Sequence, residues 1–226
     1  MYIDQRIYTM QPGKMAAWLK NYEEYGEPCL ARHSGPLLGL FTVDVGPLNR
    51  VVFLRAYDDI DIRERALAAL GTDPDWATFR DAAIKIDALI AQENKFLKPM
   101  PFSPIQSAAY RFERRPPASG LYVEHHTYDF HPDKMDAWIN IYYKFGLPAQ
   151  QRQLGQFLLF AVTDCGPLCQ AVAMWGYATL GSRERQLTLL AADPDWKEFQ
   201  EAARAVAALK QQTTMLLKPA SSSPIR

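Results

Sequence analysis

The chain has 226 residues, 48% hydrophobic and 22% charged, enough apolar material for a sizeable core in one large domain or two small ones. Lys+Arg and Asp+Glu number 25 each, so no net field draws the chain to nucleic acid or an anionic membrane. Three cysteines, Cys29, Cys165 and Cys169, are too few and odd in number for a disulfide framework or a zinc site. No apolar run reaches bilayer length, and the N-terminus enters strand-like alternation without a secretory or transit pattern, so a cytoplasmic protein is expected.

In chain order, Tyr2–Thr9 is rich in Tyr, Ile and Thr and predicts a strand. Pro12 opens a helix with Met15, Trp18, Leu19 and Tyr22 at helical spacing, which Gly26 and Pro28 bend or end. A second strand, Leu37–Val45, runs through the Gly46-Pro47-Leu48 turn into a third, Asn49–Tyr57, and so short a connection predicts antiparallel pairing. A short helix follows around Arg63–Leu70. Asp73 caps a longer one, with Pro74 at its first position and Trp76, Phe79, Ala83, Ile86 and Ile90 as its apolar stripe. The segment ENKFLKPMPFSPI reads as an edge strand interrupted by proline.

Everything then happens again. Shifted by 120, residues 1–106 lie on 121–226 without a gap, and 40 of the 106 positions are identical. Between the copies, residues 107–120 hold Pro116-Pro117 and Ser119-Gly120, a linker signature. The basic cluster Arg111–Arg115 within it reads as solvated. The expected organisation is therefore 1–106, a linker, and 121–226. Each copy is β-α-β-β-α-β with one extra short helix, the ferredoxin-like arrangement. A sheet with helices on one face leaves its other face bare. Two copies solve this by packing sheet to sheet as a pseudo-dimeric α+β barrel.

The stretches YTMQPGKM, GPLNRVVFLRAYDDIDIRER and DPDWATF resemble the signatures of the NIPSNAP domain family, and the resemblance covers nearly all of both copies. It implies the dimeric α+β barrel fold. Eukaryotic members are associated with mitochondria and vesicles, whereas the wider superfamily includes cofactor-independent monooxygenases, isomerases and haem-degrading enzymes. The family's pattern on one face of the third strand is Asn, His, Trp, Tyr. The first copy keeps Asn49 and Tyr57 but has Phe53 and Arg55 between them. The second keeps Trp175 and Tyr177 but has Cys169 and Ala173 before them.

Alternation sorts the chemistry by face. The first strand carries Tyr2, Asp4, Arg6 and Tyr8 on one side, and its counterpart carries Tyr122, Glu124, His126 and Tyr128. Charges there must be paired or face a cavity. One reading is a self-satisfied pairing of Asp4 with Arg6 and of Glu124 with His126. The other is a polar pocket in each copy: His126 as acid or base supported by Glu124 and Tyr128, with Arg6, Tyr8, Asn49, Arg55, Tyr57, Trp175 and Tyr177 binding substrate. Arg63 and Arg183, in the repeated RER, read as surface helix charges, with one inward salt bridge as the alternative. Cys165 and Cys169 flank a hairpin turn and read as buried small hydrophobes.

No His, Cys and carboxylate fall at a metal spacing, and there is no G-x-G-x-x-G, P-loop or G-x-S-x-G. The expectation is a cofactor-independent enzyme acting on a small aromatic or carbonyl-bearing molecule by oxygenation, isomerisation or proton transfer. Haem on His126 is the alternative cofactor. A non-catalytic small-molecule-binding or interaction scaffold is the alternative function. The expected partners are the small-molecule ligand and a second copy of the fused pair.

Overall fold

In the computed structural model, which describes residues 1–112 and 121–225, eight antiparallel strands close into a barrel. The first half supplies β1 (Tyr2–Met10), β2 (Leu37–Val45), β3 (Arg50–Tyr57) and β4 (Leu89–Pro99). The second supplies β5 (Tyr122–Phe130), β6 (Gln156–Cys165), β7 (Gln170–Tyr177) and β8 (Leu209–Pro219). Round the barrel the order is β1-β3-β2-β8-β5-β7-β6-β4. Each half is thus a ferredoxin-like sheet, and the two join edge to edge through β2–β8 and β4–β6 as well as across the lumen. Closure removes the sheet edges that two separate sheets would leave.

Alternation sends Ile3, Val52, Leu54, Val123, Val172 and Met174 into one lumen cluster. The opposite faces carry two helix-covered clusters, one per half. The repeated Ser-Pro-Ile motifs lock the halves together. Phe160 N–H donates to Ser103 Oγ at 3.1 Å, and Leu40 N–H to Ser223 Oγ at 3.1 Å, so the tail of each half is stitched to a strand of the other. Ile105 and Ile225 follow into the core.

Helices cover each sheet: α1 (Met15–Asn21), α2 (Glu27–His33), α3 (Ile60–Gly71) and α4 (Pro74–Ile86), then α5 (Met135–Ile141), α6 (Leu147–Gln153), α7 (Leu180–Ala192) and α8 (Pro194–Val206). Asp73 caps α4 as its sequence predicts, accepting from Asp75 N–H at 2.8 Å. Three expectations change. Gly26 does not end the first helix: a π turn, Tyr22–Gly26, carries the chain directly into α2. A Cβ on Gly26 would meet Phe79 at 3.0 Å, so this glycine serves close packing. Ile90 is not on the α4 stripe, because Asp87 takes a left-handed conformation that ends the helix and Ile90 emerges exposed on β4. Nor is β4 simply an edge strand. It pairs with β1 along its length and with β6 over Phe96–Pro99.

At the hairpin tips Asn49 and Cys169 have φ of 59° and 55°, so β3 and β7 start one residue later than expected. Cys165 is exposed rather than buried. Of the linker, residues 113–120, with most of the basic cluster, lie outside the described residues. Ala108 is buried, and Tyr110 and Phe112 pack against the lumen cluster, so this part is core rather than spacer.

Candidate functional site

A cavity of about 590 Å³ lies between the sheet and the helices of the first half. That volume suits a small organic ligand. The sheet floor presents Asp4, Arg6 and Tyr8 from β1 and Phe53, Arg55 and Tyr57 from β3. They converge because residues two apart on a strand share a face and β1 pairs with β3, Asp4 opposite Arg55 and Arg6 opposite Phe53. Trp18, Tyr22, Trp76 and Phe79 form aromatic walls, Trp18 and Tyr22 stacked with ring centroids 5.4 Å apart.

Two ion clusters anchor the floor. Asp4 Oδ2 accepts from Arg6 Nη2 at 3.0 Å and from Arg63 Nε, reaching in from α3, at 2.9 Å. Arg6 Nη1 lies 3.4 Å from Tyr8 Oη. Burial works against the Arg6 charge, but Asp4 more than offsets it, and the guanidinium stays protonated. Arg55 pairs with Glu27 from α2, donates to Gly35 O at 2.9 Å, and lies 3.2 Å from Tyr22 Oη, which itself donates to Glu27 at 2.5 Å. Burial is the chief reason the Tyr22 phenol is pushed well above its ordinary value. Three buried polar atoms of cavity-lining residues have no hydrogen-bond partner among the described residues: Asp4 Oδ1, Ser34 Oγ and Trp18 Nε1. They are an acceptor, a hydroxyl and a donor left unsatisfied beside the cavity.

The second half keeps the scaffold and changes the lining. The lining residues Arg55, Leu30 and Ser34, and Glu27 that pairs with Arg55, become Trp175, Gln150, Leu154 and Leu147, all buried. Trp175 packs on Phe157, centroids 4.8 Å apart, and Tyr142 donates to Gln150 at 2.7 Å. Glu124 pairs with Arg183 from α7 and, at 3.6 Å, with His126 Nε2. Burial alone would raise the Glu124 carboxyl, but bonds from His126 and Arg183 outweigh it and hold it at about 2. His126 Nδ1 lies 2.9 Å from Thr214 Oγ1, and Nε2 faces the Glu124 carboxylate. Tyr128 is buried, which raises its phenol pKa.

The residues predicted from the sequence therefore divide. Arg6, Tyr8, Arg55 and Tyr57 share the first-half cavity. His126, Glu124, Tyr128, Trp175 and Tyr177 lie in the second half and do not line it. Asn49 does not line it either, because its left-handed turn takes it off the strand face. The pairing of Asp4 with Arg6 exists, but Arg63 and Arg183 are inward-reaching partners in both halves rather than plain surface charges. Glu27 was missed, although the repeat carries its signal. Glu27 and Arg55 occur together in one copy and are replaced together, by Leu147 and Trp175, in the other. The lumen holds a further polar contact. Gln5 and His125, at equivalent positions, meet across the pseudo-two-fold axis at 3.0 Å. Burial, then the nearby Lys95 ammonium, hold the His125 imidazole down at about 3.

Closed barrel, helix-covered faces and a cavity between sheet and helices define an α+β barrel of the dimeric class, fused here into one chain. A putative monooxygenase from Fusobacterium nucleatum has this fold at TM-score 0.63 over 96% of this chain and 91% of its own, with 10% identity. The chain belongs to the NIPSNAP family, whose model matches residues 3–104 and 123–224. It is 27% identical to human Protein NipSnap homolog 3A over 237 residues, covering 100% of this chain and 86% of that protein. An Agrobacterium tumefaciens protein of known structure is 34% identical over 47% of this chain and 100% of its own, with TM-score 0.45. Among the described residues no helix is long and apolar enough to cross a membrane.

Proposed function

We propose that the first-half cavity binds a small aromatic molecule bearing a carbonyl or hydroxyl group. There the chain catalyses a cofactor-independent proton transfer that leads to isomerisation or oxygenation. The observation that carries this reading is Asp4, a carboxylate among the lining residues of an aromatic-sided cavity, with Oδ2 fixed by two guanidinium groups and Oδ1 buried without a hydrogen-bond partner among the described residues. A base must be oriented as well as free, and Arg6 and Arg63 hold this one in place. Arg6 and Tyr8 stand beside it as donors to the oxyanion that proton removal would leave on an adjacent carbonyl. Reprotonation at another atom is an isomerisation, and attack of the carbanion on dioxygen is an oxygenation. Related folds include putative monooxygenases, though fold alone does not assign chemistry. The second half serves as the partner sheet that closes the barrel.

A non-catalytic binding protein is the second reading, favoured by the two ion clusters, which also serve as plain structural anchors for α2 and α3. One experiment separates the two. Salicylate, hydroxynaphthoate and anthrone are titrated against intrinsic tryptophan fluorescence, and turnover is followed by oxygen uptake and by deuterium exchange from solvent. Binding lost in Arg55→Trp with Ser34→Leu, together with turnover lost but binding kept in Asp4→Asn, supports the enzyme. Binding without turnover selects the second reading. Equal binding by the plugged variant refutes the site.

A further inference from the structure

We propose that Cys29, His33 and Asp73 form a three-ligand site for a zinc-class divalent cation, present in the first half and missing from the second. Cys29 and His33 stand four residues apart on α2, so one helix face carries both. Asp73, the N-cap of α4, meets them from 40 residues further on, with His33 Nε2 2.6 Å from Asp73 Oδ2. The sulfur, a ring nitrogen and a carboxylate oxygen all lie within 4.8 Å of one another. Around one tetrahedral zinc ion such atoms stand roughly 3.5 Å apart, so small side-chain rotations complete the set. Cys29 is fully buried and the other two are half-buried, which leaves the fourth position facing outward. A thiolate, an imidazole and a carboxylate suit zinc better than calcium or magnesium.

The duplication serves as an internal control. At the equivalent positions stand Ala149, Gln153 and Asp193. There Gln153 Nε2 donates to Asp193 Oδ2 at 3.0 Å, and Arg152 bridges Asp193 at 2.8 Å and Asp195 at 2.6 Å. Arg32 repeats that bridge in the first half, to Asp73 at 2.9 Å and Asp75 at 2.7 Å. The tie between α2 and the cap of α4, or α6 and the cap of α8, therefore needs no thiol and no imidazole. Both have been placed in one copy only, around the same carboxylate. Arg32 is half-exposed and keeps Asp75 when a cation takes Asp73 Oδ2. A bound ion would pin α2 to the start of α4, behind the cavity wall formed by Leu30, Trp76 and Phe79. It lies outside the cavity, so this inference stands or falls separately from the proposed function.

The test is metal binding by the full chain after chelator treatment and dialysis. It uses zinc stoichiometry by elemental mass spectrometry and Co²⁺ as a spectroscopic probe. One Zn²⁺ per chain is expected, with a thiolate-to-cobalt charge-transfer band for Co²⁺. Cys29→Ala and His33→Gln install the residues the second half already carries, so circular dichroism should show the native fold in both. Each should weaken zinc binding more than about tenfold, a loss that removing even an outer-shell partner can produce. Cys165→Ala with Cys169→Ala should leave binding unchanged. The proposal is overturned if the wild-type chain retains no zinc, if the folded Cys29→Ala/His33→Gln variant binds it as tightly, or if the thiolate band is missing.

Discussion

Replacing Glu27 by leucine, the residue Leu147 already is in the second half, leaves the Arg55 guanidinium buried without its counter-charge. The Arg55 side chain is 9% exposed and keeps only Gly35 O at 2.9 Å and Tyr22 Oη at 3.2 Å. Breaking a buried pair by removing one partner costs about 3–5 kcal/mol. Glu27 is itself 21% exposed and two bonds to Arg55 survive, so the expected loss is about 2–3 kcal/mol. For a chain of this size that lowers Tm by roughly 5–10 °C. Arg55→Trp copies the second half from the other side of the pair. The double variant removes both charges and places an indole in a cavity with room for it. It should be more stable than the sum of the singles by more than about 1 kcal/mol, measured as a double-mutant cycle in urea by circular dichroism. A Glu27→Leu cost below about 0.5 kcal/mol, or strictly additive singles, would refute the claim that this pair is what keeps the first-half lining polar.

Three further outcomes follow from the charges and the backbone. Glu124 has its folded pKa depressed to about 2 from a usual ~4.3, so its ion pairs stabilise the fold above ~4.3 and that contribution is lost as pH falls towards 2. Acid titration of stability should be flatter in Glu124→Gln than in wild type over that window. His125, held at about 3, binds fewer protons folded than unfolded, so stability falls as pH drops from ~6.5 towards 3. Its ¹⁵N shifts should report a neutral ring at pH ~5, and a ring titrating near ~6.5 would contradict its burial against Gln5. Cys169 occupies the left-handed region at φ 55°, so Cys169→Gly should stabilise by about 1 kcal/mol, whereas Asn49→Gly at φ 59° should gain only a few tenths, since Asn tolerates that region. Equal gains in urea melts would mean the turn strain lies elsewhere.

Much of the molecule is legible from residue order alone, because it depends on short-range rules. Period-two alternation sorts Asp4, Arg6 and Tyr8 onto one face of β1, and the Asp73-Pro74 pair starts α4 where it should. The duplication follows from the fixed offset of 120, the two ferredoxin-like sheets from the order of elements in each copy, and the family from the motif stretches. What the repeat could not show is which partners long-range packing would bring to those faces. Arg55 became part of the cavity floor because Glu27, 28 residues earlier at the start of α2, reached it. Trp175 became core because Leu147 and Leu154 stand where a charge and a hydroxyl stand in the first half. Asn49 left the site because the hairpin tip spent that residue on a left-handed turn. Cys29, His33 and Asp73 met only when α2 docked on the cap of α4. Local pattern thus determined the elements and their faces, whereas tertiary structure decided which partners line each face. Burying an ion needs a partner of opposite charge at contact distance, and that distance exists only once the helices have packed.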